Sequence, residues 1–234
     1  MFLIFASRHD TAARILADRG HARGTVLVTP RDLSMVGWRD TLGHTGSGTA
    51  AVDGRVVSTR EVGGVLTRLT AVDEHELTHI VPADRAYVAQ EMTAFLVSWL
   101  SGLPCPILNR PTPACLTGPP WRREQWVHEA ARLHIPVRPA RRTVELAGAG
   151  QPDVPARRPV TITIVGDRWF GEADAALAHD ARRLAAAAGV DLVAAHFSGP
   201  RGGARLISAD VWPDVASPEI GEAIFAYLRD RRRC

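Results

Sequence analysis

Lysine is absent: all 28 Lys and Arg positions of the sequence are arginine. GC-rich coding accounts for such a bias, but the chemical consequence holds whatever its origin. No Schiff base can form on a side-chain amine, and no phosphate contact can rely on the compact ammonium of a P-loop lysine. Cysteine is scarce, with three residues (Cys105, Cys115, Cys234), which fits reduced thiols rather than a disulfide framework. No apolar run approaches the ~18 residues that a membrane helix needs, so no membrane partner is expected. A net charge of only +3, without an RNP, zinc-finger or basic-stripe pattern, argues against nucleic acid as a partner. The arginine run from Arg229 to Arg233 reads as a solvated helix end. The opening MFLIFASRHD has no basic leader and too short an apolar core for a signal peptide, and it reads as the first strand of a cytoplasmic protein.

What is present is ordinary for a globular chain: 46% hydrophobic and 23% charged residues over 234 positions, enough to bury roughly 70% of the unfolded surface. The strongest helical pattern starts at Asp84. Val88, Met92, Phe95, Leu96, Trp99 and Leu100 share one apolar face, and Gly102 with Leu103-Pro104 ends it. Cys105 to Leu108 reads as a short buried strand that Asn109-Arg110-Pro111 leaves as a turn. Before it, Met1 to Ser7, Thr25 to Val28 and Val65 to Leu69 read as strands and Asp10 to Arg19 as a helix. Asp53-Gly54 between two apolar triplets is a two-residue hairpin signal. After it come a helix over Glu124 to Leu133 and a strand over Ile135 to Val137. Alternating strands and helices up to residue 139 predict an open α/β sheet with flanking helices.

Residues 140–158, rich in Ala, Gly and Pro, read as a linker. The remainder, 159–234, predicts a smaller α+β module of order ββαββα: strand Val160 to Val165, a turn at Gly166-Asp167, helix Asp174 to Ala188, strands Asp191 to Phe197 and Arg205 to Trp212, and a last helix announced by Ser217-Pro218-Glu219.

Three groups of residues carry candidate chemistry. His75-Glu76-Leu77-Thr78-His79 is a literal HExxH. On a helix it would place His75 and His79 on one face for zinc, with Glu76 as base of a hydrolase. Pro82 and the acidic surroundings leave it little helix, so a surface loop is the competing reading. Cys115, near Trp121 and the helix bearing His128, is a candidate nucleophile with a histidine base, against a half-buried structural thiol. Arg68 and Arg110 end two neighbouring strands, where an open α/β sheet lines its ligand crevice. With Asn109 they suit a carboxylate or phosphate, against arginines bracing a turn.

Laid in order, SRHDTAARILADRG, the strand ending LTRL, the Asp84 helix, CPILNRP and HIPV resemble the pre-ATP-grasp region of peptide-modifying ATP-grasp ligases, relatives of the ribosomal-protein glutamate ligase and the microviridin-type cyclases. VTITIVGDRWF, AAAAGVDLV and LISADVWPD continue the resemblance. It implies a pre-ATP-grasp-like α/β domain over 1–139 and a residual ATP-grasp α+β module over 159–234. It also implies magnesium ligands at Asp191, at Ser208 (Glu in the family) and at Asp210 (Asn in the family), so that Asp191 and Asp210 could form a two-carboxylate metal site on adjacent strands. The family's central lid subdomain, whose lysines hold the phosphates, has only Arg138 to Pro159 in its place. The expectation is therefore a truncated ATP-grasp-like protein of a peptide or amino-acid-derived natural-product pathway that has lost standard ATP use. It would serve as a repurposed enzyme, or it would bind a peptide, a small carboxylate or a partner enzyme. No cofactor is expected to be needed; magnesium is the one that could bind, and zinc only through His75 and His79. The competing readings are an active ATP- and magnesium-dependent ligase with arginines for lysines, a zinc hydrolase, and a homodimeric binding protein.

Overall fold

Three strands whose side chains are nearly all buried run parallel at the centre of the amino-terminal half. In the computed structural model, which describes residues 1–41, 46–140 and 159–230, β1 (Phe2–Ala6) lies between β2 (Thr25–Val28) and β5 (Gly64–Arg68), and β6 (Ile107–Leu108) pairs with β5. All these pairings are parallel. Continuous apolar runs such as FLIFA are what a sheet buried on both faces requires. Helix α1 (Thr11–Gly20) crosses from β1 to β2, and Asp10 caps it by accepting a hydrogen bond from the Ala13 amide at 2.9 Å. Helix α2 (Arg85–Ser101) puts Leu96, Trp99 and Leu100 into one cluster with Leu3, Phe5 and Val65. Strands β3 (Thr49–Val52) and β4 (Arg55–Ser58) form a separate hairpin. Its turn residues have positive φ, 51° at Asp53 and 71° at Gly54, as a type I′ turn demands.

The carboxy-terminal half gives α3 (Arg123–Arg132), β7 (Val160–Val165), β8 (Arg168–Phe170), α4 (Ala175–Ala188), β9 (Leu192–Phe197), β10 (Leu206–Asp210) and α5 (Pro218–Asp230). The second sheet is antiparallel, in the order β10-β9-β7-β8. The ββαββα order is as expected. Residues 141–158, nearly all of the expected linker, lie outside the described residues, as does Cys234.

The chain divides into two units, Met1–Pro120 with Asp214–Cys234, and Trp121–Pro213. This does not coincide with cuts at 139 and 159, for two physical reasons. Helix α3 belongs with the second sheet, because Trp126, Ala130 and Ile135 share a core with Ile162, Leu177 and Phe197. The segment after it, expected as a strand of the first sheet, makes only a bridge from Val137 to Leu206. Helix α5 belongs to the first unit: Phe225 packs on Phe2 with ring centroids 6.2 Å apart, and Arg23 lies 4.8 Å over the Phe225 ring while pairing with Glu222.

Thr25, under α1 and α5, is 3% exposed, and its hydroxyl has no hydrogen-bond partner among the described residues. A buried unsatisfied hydroxyl is costly. Replacement by the isosteric valine is expected to raise the unfolding free energy by about 1 kcal/mol in urea denaturation. A loss of stability would show that the hydroxyl has a partner.

Candidate functional site

The carboxyl ends of β1, β5 and β6 share one edge of the first sheet, with Ala6 beside Arg68 and Leu66 beside Leu108. Arg68, Asn109 and Arg110 lie at or just past these strand ends, but they are not alike. Arg68 is 4% exposed, and its Nε donates to Asp10 Oδ2 at 2.6 Å, so its guanidinium already serves the residue that caps α1. Asn109 is 3% exposed and donates from Nδ2 to the Thr117 carbonyl at 3.4 Å, while the Thr67 hydroxyl bonds the Asn109 carbonyl at 3.1 Å. Arg110 is exposed, bonded through Nη2 to the Cys105 carbonyl at 3.4 Å, and presents its charge to solvent. Cys115 is 5% exposed, its Sγ 3.2 Å from Thr117 Oγ1, a buried thiol rather than an accessible nucleophile. His128 is exposed on α3 of the second unit, in a shallow pocket with Trp121 and Glu124.

The HExxH segment is not a helical metal motif. Glu74–Glu76 is a single 3-10 turn capped by Asp73, too short to stack His75 over His79. The two rings have separate partners: His75 Nδ1 sits 2.9 Å from Asp73 Oδ1, and His79 Nε2 sits 2.7 Å from Ser34 Oγ. Glu76 is buried and accepts from the Arg8 amide at 3.0 Å. The zinc reading is thus corrected by local geometry, and no group of three His, Cys, Asp or Glu side chains placed to hold a metal occurs among the described residues. Beside this turn a groove of about 710 Å³, floored by Val72, Ala89 and Val97 and rimmed by Asp73 and His75, runs along α2.

Hydrogen bonds from the His75 backbone and then its ring hold the Asp73 carboxyl below its usual range, and the bond to Asp73 raises the His75 ring above 6.5. The raised His75 contributes fully below its unfolded value of 6.5 and loses that contribution as pH rises through its folded value. The lowered Asp73 contributes above 3.8 and loses it as pH falls through its folded value. The pair is therefore strongest between those two pH values. An NMR titration is expected to place His75 above an unpaired histidine, and Asp73→Asn to bring it back. Because the pair is exposed, the melting temperature should not change. A His75 midpoint indifferent to Asp73 would refute the pairing.

In the second unit, helices α3 and α4 pack on the face carrying Ile162, Ile164, Val193 and Ala195. Alternation puts Thr161, Thr163, Ala194 and His196 on the other face. There Thr161 Oγ1 lies 2.9 Å from His196 Nδ1, and His196 Nε2 lies 2.8 Å from Asp210 Oδ2. Asp210 Oδ1 accepts from the Trp212 amide at 2.8 Å. Asp191 does not take the place expected of it. Asp210 is paired in register with Ala194 and Ser208 with His196, so Asp191, just before β9 begins, lies three residues further along, roughly 10 Å. The residue that joins Asp210 is His196. Sequence reasoning passed over both His196 and Thr161, although alternation in LVAAHF, with Phe197 in the core, already turns His196 away from the helices.

No family model matches the sequence, and no curated protein does. Solved structures do match along nearly the whole chain. The macrocyclase MdnC from Microcystis aeruginosa MRC, solved with its precursor peptide MdnA, aligns with a TM-score of 0.68 at 12% identity over 97% of this chain and 99% of that one. A RiPP-associated ATP-grasp ligase from Chryseobacterium gregarium, bound to ADP and a leader and core peptide, gives 0.62 at 11% over 99% and 98%. A RimK domain ATP-grasp protein from Sphaerobacter thermophilus gives 0.51 at 16% over 98% of each chain. At such identities the likeness speaks to architecture and not to chemistry. In fold, the chain is ATP-grasp-like, with RiPP-associated ATP-grasp ligases among its structural neighbours.

Proposed function

We propose that this protein works in a peptide or amino-acid-derived natural-product pathway, where it binds a carboxylate-bearing peptide and no longer carries out the standard ATP-grasp reaction. One observation carries the proposal. Of the three positions that the resemblance assigns to magnesium, Ser208 has no carboxylate, Asp191 precedes β9 and is three register positions from Asp210, and Asp210 gives both its oxygens to His196 and the Trp212 amide. Magnesium that bridges phosphates needs hard oxygen ligands converging on one point. The absence of lysine from the whole sequence supports the same reading, since phosphate positioning would then fall to arginines alone.

Arg110, two residues past the carboxyl end of β6, is the residue we assign to the substrate carboxylate, while Asn109, buried and bonded to the Thr117 carbonyl, holds the turn. Arg110 is the one whose charge faces solvent, and a guanidinium can take a carboxylate bidentately. Calorimetry of the full chain with ATP and magnesium is expected to give a dissociation constant weaker than about 1 mM, that is, less than about 4 kcal/mol of binding. Tighter binding would favour the competing reading, an active ligase that uses arginines for lysines.

A further inference from the structure

We infer that Thr161, His196 and Asp210 form an acyl-transfer relay, with Thr161 Oγ1 as nucleophile towards activated esters. The inference stands on the hydrogen-bond chain alone and holds whether or not ATP binds. A carboxylate can only accept hydrogen bonds, so the bond to Asp210 places the imidazole proton on Nε2. Nδ1 is then an acceptor, and the 2.9 Å contact is a bond donated by the Thr161 hydroxyl. That is the polarity of a nucleophile, base and orienting acid in series. Isolated cross-strand bonds would not need all three groups in this order.

The scaffold adds precision and access. Each group stands on a different strand of one sheet, and Thr161 is directly opposite His196 in the β7–β9 register. The three lie on the face away from α3 and α4. Thr161 is exposed, and the side chains of His196 and Asp210 are 23% and 47% exposed, so a substrate can reach the hydroxyl.

The step balances with water as the only co-reactant. Thr161 Oγ1 bonds the ester carbonyl carbon and passes its proton to His196 Nδ1. The ester C–O bond breaks, and the leaving alkoxide takes that proton. Water then attacks the acyl-threonine, its proton returning through His196, and releases the acid. Thr161 and His196 touch the reacting atoms; Asp210 is a positioning residue that holds the tautomer.

The test uses the full chain with p-nitrophenyl acetate, following nitrophenol release and mapping acetyl groups by mass spectrometry. The expected result is one acetyl group on Thr161, absent in the isosteric Thr161→Val, kept in Thr161→Ser, and formed about 100-fold more slowly in His196→Gln. Asp210→Asn, which inverts the tautomer, is expected to lower the rate constant and leave the apparent affinity alone. Circular dichroism verifies that each variant is folded. Acetylation elsewhere with none on Thr161, or the same rate on Thr161 in His196→Gln, would overturn the inference. The nucleotide measurements read a different property, so either account can fail without the other.

Discussion

Asp10→Ala is expected to lower the unfolding free energy by about 3–5 kcal/mol, the range for breaking a buried ion pair from one side. Asp10 serves two elements at once. Its Oδ1 accepts the Ala13 amide at the start of α1, and its Oδ2 accepts Arg68 Nε at 2.6 Å. Removing it uncaps the helix, worth about 1 kcal/mol, and leaves a guanidinium that is 4% exposed without its carboxylate. The reverse substitution, Arg68→Met, should cost less, about 2 kcal/mol, because the Asp10 side chain is 10% exposed and keeps the helix amino terminus as a favourable neighbour. The double variant should cost less than the sum by about 1–3 kcal/mol, the usual coupling of contacting residues. Urea denaturation of the three variants checks this. Additive costs would detach Arg68 from Asp10 and return it to the list of substrate ligands. On the present geometry, the Arg68 guanidinium serves Asp10, and the proposed carboxylate contact falls to Arg110.

Trp99→Ala is expected to cost a similar 3–5 kcal/mol, for a different reason. Trp99 is 1% exposed, and its ring lies 5.3 Å from Trp38 and 6.0 Å from Phe5, both in tilted or edge-on geometry. Its Nε1 donates to the Thr49 carbonyl at 3.2 Å. That carbonyl also accepts the Arg39 amide, so truncation creates a cavity without orphaning an acceptor. The loss is then packing, and Trp99→Phe should recover more than half of it. If Trp99→Phe were as damaging as alanine, the indole hydrogen bond would be the dominant contribution. Either variant loosens the junction of α2, β1 and the β3–β4 hairpin, so Arg110 at the sheet edge should lose its placement with it.

Where a local rule governs, the sequence was a good guide. The apolar face of α2, the positive-φ turn at Asp53-Gly54 and the left-handed Gly189 that ends α4 each follow from a few neighbouring residues. Association of elements was harder. Helix α5 was expected with the module that precedes it in the chain, yet its phenylalanine and leucine faces meet Phe2 and Gly64, and nothing local in PEIGEAIFAYLRD names those partners. The same is true of α3. At the candidate sites, the strand ends of Arg68 and Arg110 were placed correctly, but whether each guanidinium was free depended on Asp10, a residue 58 positions from Arg68. Thr161, His196 and Asp210 are separated by 35 and 14 positions, and only the strand register unites them. Asp191 looked like the partner of Asp210 because its Gly-Val-Asp setting matched the family; a three-residue offset in pairing gives that place to His196.

An ATP-grasp-like fold without lysine, and with Asp210 bonded to His196, is expected not to activate a carboxylate with ATP. The direct measurement is phosphate release from ATP and magnesium by the full chain, with and without a short peptide containing Glu and Asp. The prediction is release at the rate of a control without protein, unchanged by the peptide. Release that depends on both the protein and the peptide carboxylate would contradict it and make the chain an active ligase.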